Sequence, residues 1–333
     1  MACNCLGCES RQAMNRAPYA VGGEASARPC RQGLFWFLFR FLLQFFSGWD
    51  MISLDSFSNP PGPGSFAPGR RKDGFSMEQL RQKKGFIIDM DGVIYHGNRL
   101  LPGAKEFVEW LYRENKQFLF LTNSSRRTPV ELQKKLGWMG LDVDESHFYT
   151  SAQATASFIA SQYPEASAYA VGEHGLLNAL YDAGITVNEI DPDYVIIGEA
   201  DNYNYDSIIK AVHFVNQGAK LIGTNFDLTG PKGDGIAPAC RALVAPIELV
   251  TGKNAYFIGK PNPLMMRTGL KLLGVHSEET AIIGDRMDTD IVAGIETGLD
   301  TALVLTGVTS RETIGDFPYR PRLVLQNVGE IVG

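Results

Sequence analysis

The sequence predicts an α/β fold: a doubly wound parallel sheet with a second, inserted α/β cap domain. Three observations carry this. From about residue 80 to the end, short apolar runs alternate with segments of helical rhythm. Several of these runs stop in polar clusters, as strands of parallel sheets do at their carboxyl edge. A block from about 166 to 255 repeats the alternation on its own before the first pattern returns.

The chain has 333 residues, enough for two domains with a sizeable core. Its formal net charge of -6 gives no electrostatic reason to expect nucleic acid as a partner. Cys3, Cys5, Cys8 and Cys30 lie in the first 30 residues, and only Cys240 follows. That excludes a disulfide framework for the folded part and is compatible with a reducing cytosol, hence a cytoplasmic protein.

Residues 1–80 differ from the rest and are expected to be a non-catalytic, disordered extension. The early cysteines match no common zinc spacing closely. Residues 33–49 form the most apolar window, but it is short for a membrane span and carries Arg40 in its middle. An interfacial helix with Arg40 snorkelling is the lesser alternative. A Pro/Gly/Ser-rich linker at 59–71 follows. Residues 1–76 are expected to lie outside the enzyme, so that a chain begun at Met77 would suffice.

The elements then follow in order. Phe86-Ile87-Ile88 reads as a strand buried on both faces. Gly103 to Asn115 has a helical rhythm in Phe107, Trp110 and Leu111. Phe118 to Leu121 is a second strand, and Thr128-Pro129 opens a helix running to about Gly140. Phe148 to Thr150 is a third strand, followed by a helix to Gln162. In the inserted block, strands are expected at 168–171, 194–197 and 220–222, with helices at 175–183 and 205–217. Leu228 to Gly235 reads as a turn-rich loop. Strands at 255–258, 280–283 and 301–305 resume the first pattern. The expected division is therefore 81–165 and 256–333 for the core, and 166–255 for the inserted domain.

Asp89-Met90-Asp91-Gly92 ends the first strand. In extended chain, side chains two apart point the same way, with Cα atoms roughly 6–7 Å apart. Both carboxylates can thus face one small reacting group, and Gly92 turns the chain away without a Cβ. Two like charges so close need a cation between them, or a proton on one. Either answer suits phosphoryl transfer. Further strand ends supply Thr122-Asn123, Lys260 and Asp285.

In this order the residues resemble the haloacid dehalogenase superfamily of phosphatases. Asp89 to Val93 matches its first motif, Thr122-Asn123 its second, Lys260 its third and Gly284-Asp285 to Asp290 its fourth. The block between the second and third motifs marks the branch with a large inserted α/β cap. Within it the chain is similar to the NagD-like nucleotide monophosphatases over nearly all of residues 80–330. Phe148 to Ala152, Thr224 to Asp227 and Pro238 to Cys240 share in that resemblance. Arg241 departs from the glycine usual there, close to the cap loop, and so bears on substrate preference.

The resemblance implies a Rossmann-like core and an aspartyl-phosphate mechanism. Asp89 would be the nucleophile and Asp91 the general acid and base. Mg2+ would be held by the Asp89 carboxylate, the Asp91 backbone carbonyl and the Asp285 carboxylate. Asp290 would orient the site. Thr122 and the Asn123 amide would donate to phosphate oxygens, and Lys260 would balance developing charge. The cap loop, with Asp227, Lys232, Asp234 and Arg241, would read the rest of the substrate.

The expected activity is hydrolysis of small phosphorylated metabolites, nucleoside monophosphates such as UMP or GMP first. Phosphoglycolate, sugar phosphates and pyridoxal phosphate are the alternatives. A membrane-tethered metabolite-binding protein is the reading from another class; the complete set of motifs argues against it. A homo-oligomer is compatible with the sequence. His96, following the first strand, has no evident base partner and reads as non-catalytic.

Overall fold

The computed structural model describes residues 74–232 and 235–333. The early cysteines, the apolar window at 33–49, the linker at 59–71 and Asp234 lie outside the described residues.

The fold begins inside the stretch expected to be an extension. Helix α1 (Met77–Arg81) starts at Ser76, whose Oγ accepts from Gln79 N at 3.2 Å while Gln79 Oε1 accepts from Ser76 N at 2.8 Å. Leu80 is fully buried, Phe75 packs on the same core, and Arg81 Nε donates to Ile331 O at 2.7 Å. Five residues could not hold a helix alone; the cap and the docking of Leu80 do so.

Strand β1 (Gly85–Ile88) is buried at every position, as its unbroken apolar run requires. A small hairpin, β2 (Tyr95–His96) with β3 (Arg99–Leu100), follows the turn at Gly92. Helix α2 (Ala104–Arg113) lays Phe107, Val108, Trp110 and Leu111 against the sheet. Phe86 meets Phe107 and Trp110 edge-on, with centroids 6.4 and 5.7 Å away. Each such buried side chain is worth about 2 kcal/mol in area removed from water. Then come β4 (Gln117–Thr122), α3 (Pro129–Trp138), β5 (Phe148–Thr150) and α4 (Ser151–Gln162). Thr128 and Thr150 close capping boxes at the starts of α3 and α4.

The inserted block contains β6 (Ser167–Val171), α5 (His174–Asp182), β7 (Thr186–Val187), β8 (Tyr194–Ile197), α6 (Tyr205–Gln217) and β9 (Lys220–Gly223). The expected loop at 228–235 is instead part of an antiparallel ribbon, β10 (Thr229–Lys232) with β11 (Gly235–Pro238). Gly230, Pro231, Gly235 and Pro238 hide it from any propensity argument. Helix α7 (Cys240–Thr251) and strand β12 (Tyr256–Phe257) complete the block.

The chain ends with α8 (Pro263–Leu273), β13 (Thr280–Gly284), a π-helical turn at Met287–Ile291 leading into α9 (Val292–Glu296), β14 (Asp300–Val304) and β15 (Leu323–Leu325). Six strands form one sheet in the order β15-β14-β13-β1-β4-β5, every pair parallel. Five form a second parallel sheet, β12-β9-β8-β6-β7. The run at 255–258 was expected in the first sheet. It forms the edge of the second, because Tyr256 and Phe257 pair with Ile222 and Gly223.

The chain leaves β1 for β4 and β5 on one side and returns to β13 on the other. A crevice therefore opens at the carboxyl ends of β1 and β13. The second sheet has the same reversal, between β6 and β8. No helix among the described residues is long and apolar enough to cross a membrane.

Candidate active site

The crevice holds the residues that end β1, β4 and β13. Asp89 follows β1, and its N–H donates to Ile283 O at 2.9 Å, so β13 fixes where its side chain starts. Asp285 follows β13. Asp290 is carried back over Gly284 by the π-helical turn. A Cβ on Gly284 would stand 2.2 Å from that of Asp290, so only glycine fits beneath it.

Oxygens of Asp89, Asp285 and Asp290 lie within 4.8 Å of one another, and the latter two residues are almost wholly buried. At that spacing each pair of charges repels by about 3 kcal/mol, taking an effective dielectric near 20. Lys260 relieves part of this. Its ammonium lies 2.7 Å from Asp89 Oδ1 and 2.7 Å from Asp290 Oδ1. Burial works against its charge, and the Asp290 and Asp89 carboxylates overcome that and raise its pKa. Burial, then Asp89 and Asp290, push the Asp285 carboxyl well above the usual carboxylate range. Asp290 is raised too, by burial and in spite of Lys260.

Three carboxylates against one ammonium leave two negative charges to be met. The donor pattern shows where a cation fits. Asp290 uses one oxygen on Lys260 and the other on Arg286 N at 3.2 Å. Asp285 Oδ2 accepts from Val308 N at 2.7 Å, but its Oδ1 is buried without a partner. The second oxygen of Asp89 and the carbonyl of Asp91 accept from no described N–H. Three hard oxygens thus remain to meet a divalent ion. Gly92, at φ 83°, and Gly307 close around Asp285. A Cβ on either would stand 2.7 or 2.0 Å from Asp285 Oδ2.

Thr122 ends β4 and Asn123 follows it. The Thr122 hydroxyl accepts from Ser124 N at 3.2 Å and keeps its own proton to donate. The Asn123 side chain is otherwise engaged. Lys260 N donates to Asn123 Oδ1 at 2.7 Å, and Asn123 Nδ2 donates to Lys260 O at 3.0 Å and to Asp227. The side-chain amide expected to meet phosphate thus holds the lysine in place.

Asp91 lies at the open side, with its carboxylate 40% exposed. Burial raises its pKa, against His96 and Lys135. His96 Nδ1 is 3.3 Å from Asp91 Oδ1, a pairing made by the β2–β3 hairpin and overlooked in the sequence. The first-strand turn followed by a strand-forming Tyr-His was the signal that could have found it.

The carboxyl ends of β8 and β9 meet the same crevice. Asn225 Nδ2 donates to Asn123 O at 2.7 Å, and Glu199 Oε2 accepts from Ser124 Oγ at 3.0 Å. Burial raises the Glu199 pKa, although Ser124 and Arg126 oppose it. Glu199 too was missed; it follows β8, so the strand-end rule applied to the second sheet would have found it. Of the expected loop residues, Asp227 reaches the site through Asn123. Lys232 ends β10. Arg241 turns to Glu248 Oε2 at 2.6 Å, its guanidinium 5.5 and 5.4 Å from the Phe226 and Phe257 rings.

Comparison with known proteins agrees with this geometry. Sequence models of haloacid dehalogenase-like hydrolases match residues 86–186 and 257–331. The chain is 43% identical to a dihydroxyacetone phosphatase of Corynebacterium glutamicum over 246 residues, 74% of this chain and 90% of that protein. It is 44% identical to the ribonucleotide monophosphatase NagD of Escherichia coli over 248 residues, 74% of this chain and 98% of that protein. The solved NagD structure superposes with a TM-score of 0.71, covering 75% of this chain and 98% of that one. A 4-nitrophenylphosphatase of Thermotoga maritima, 33% identical, gives 0.73 over 76% of this chain and 97% of that one. The chain belongs to the haloacid dehalogenase-like hydrolases, as a phosphatase of the NagD-like branch.

Proposed function

We propose that the protein is a Mg2+-dependent phosphatase that hydrolyses small phosphomonoesters, nucleoside monophosphates among them, through an aspartyl-phosphate on Asp89. The observation that carries this is the unpartnered Asp285 Oδ1 beside Asp89, with Lys260 already seated on the other Asp89 oxygen. Asp89, Asp285 and the Asp91 carbonyl would hold the Mg2+. When bound, the ion supplies positive charge to the phosphoryl oxygens and leaves Asp89 free to approach them.

The Asp89 carboxylate attacks phosphorus, and the ester P–O bond breaks. The Asp91 carboxyl, its pKa raised by burial, gives its proton to the departing alcohol oxygen. The Asp91 carboxylate then takes a proton from water as that water attacks the phosphorus. Phosphate leaves and the Asp89 carboxylate is restored. Lys260 and the Thr122 hydroxyl face the charge that grows on the phosphoryl oxygens, and Asp290 keeps Lys260 in place. Residues 81–165 and 256–333 would supply this chemistry. The block at 166–255, with Asp227, Arg241 and the β10–β11 ribbon, would choose the alcohol.

Asp89→Asn tests the reading. It should lower phosphate release from aryl phosphate by about a thousandfold or more with the fold intact. Asp91→Asn should instead accumulate labelled enzyme with a good leaving group. Wild-type turnover in Asp89→Asn would sink the covalent mechanism.

A further inference from the structure

Basic side chains gather beside Asp91. His96 is in contact with it. Lys135, on α3, places its ammonium 3.6 Å from the centre of the Tyr95 ring. Tyr95 is tied to the Asp91 turn, since Gly92 N donates to Tyr95 O at 2.8 Å. Arg127 is exposed and acts electrostatically on both Lys135 and Tyr95. Among the described residues, neither Lys135 nor Arg127 forms an ion pair. Their neighbour Arg126 shows the contrast: its guanidinium is 3.0 Å from Asp201 and 3.8 Å from Glu199.

This arrangement is costly as it stands. Lys135 is half-buried, and burial followed by Arg127 lowers its pKa to about 8, against the pull of Asp91. An ammonium partly stripped of water beside a guanidinium is what a bound anion would relieve. Lys135 is near enough to Asp91 to act on its charge. In the reaction above, Asp91 faces the departing oxygen, so groups around Asp91 face the alcohol portion.

We propose that Lys135, with Arg127, forms a subsite for a second anionic group, a carboxylate or a phosphate, carried on the alcohol portion of the substrate. The inference rests on the phosphatase reading, because that reading sets which side of Asp91 the alcohol occupies. Among small phosphomonoesters it ranks those with a charged alcohol portion above those with a neutral one, nucleosides included.

The test compares 2-phosphoglycolate with ethyl phosphate, which replaces the carboxylate by a methyl group. A charge-assisted contact predicts that kcat/KM favours phosphoglycolate by about tenfold or more. Lys135→Met should remove most of that preference and Lys135→Arg should keep it. Should Lys135→Met fail to fold, Arg127→Gln gives the same ratio to read. A preference absent in the wild type, or unchanged in these variants, overturns the inference. Aryl phosphate is measured alongside. If the wild type hydrolyses none of the three esters, the phosphatase reading has failed. Calorimetric titration with phosphoglycolate and ethyl phosphate then decides the subsite by itself: tighter phosphoglycolate binding that Lys135→Met removes supports it, and equal binding overturns it.

Discussion

Asn123 and Lys260 are joined by two hydrogen bonds running in opposite directions, 2.7 Å from Lys260 N to Asn123 Oδ1 and 3.0 Å from Asn123 Nδ2 to Lys260 O. Both residues are buried. Asn123 therefore acts on the backbone of the lysine that touches Asp89. Asn123→Ala leaves a buried N–H and C=O unpaired, each worth about 1–3 kcal/mol. We expect a loss of about 2–4 kcal/mol in urea unfolding and a fall in kcat/KM of about a hundredfold. A full loss of activity with unchanged stability would instead mean that the amide meets phosphate.

Asp285 ties pH, metal and stability together. Its carboxyl is raised by burial and by Asp89 and Asp290. A carboxyl raised in the folded state holds its proton longer there than in the unfolded chain. Without metal, its contribution is full below the ordinary carboxylate value near 4 and is lost as pH rises through the raised value. Melting of metal-free protein should therefore show stability falling above about pH 4 from this group, and Asp285→Asn should flatten that dependence. Mg2+ should raise the melting temperature of the wild type at neutral pH and leave that of Asp285→Asn nearly unchanged. Chelation should stop turnover. A metal response in Asp285→Asn equal to that of the wild type would remove Asp285 from the ligand set.

A chain begun at Met77 lacks Ser76 and Phe75, the cap and the packing partner of α1. We expect it to fold and to keep its kcat/KM, since α1 lies at the amino ends of the strands. Losing the cap should cost about 1 kcal/mol, a drop of about 2–4 °C in Tm. A chain begun at Gly74 should recover it. A large loss of activity from either would show that the upstream segment supports the site.

Much of this was legible in the sequence because parallel strands place chemistry at their ends. Asp89, Asp91, Thr122, Lys260 and Asp285 each follow a short apolar run, and the crevice gathers them. Partners across the fold were not legible. Nothing local to Asn123 says that its amide turns to Lys260, 137 positions away. Glu199 meets Ser124 only because the second sheet presents its carboxyl edge to the first. Arg241 stood out by its type, yet its contacts with Glu248, Phe226 and Phe257 are set by packing around α7. The β10–β11 ribbon was hidden because its pairing overrides four residues that disfavour strands.

The last strand of the inserted block ends at Phe257, and Gly259 N still donates to Thr224 O at 2.8 Å. Lys260 is the next residue. The backbone of Lys260, whose ammonium touches Asp89, is thus leashed to the second sheet by a single peptide, which spans under about 4 Å. A swing of that sheet away from the crevice would have to break this bond, or pull the Lys260 backbone from Asn123 until the side chain no longer reaches the nucleophile. In the second case Asp89 and Asp290 lose their shared counter-charge together. The charge balance at the nucleophile is thereby tied to the position of the second sheet.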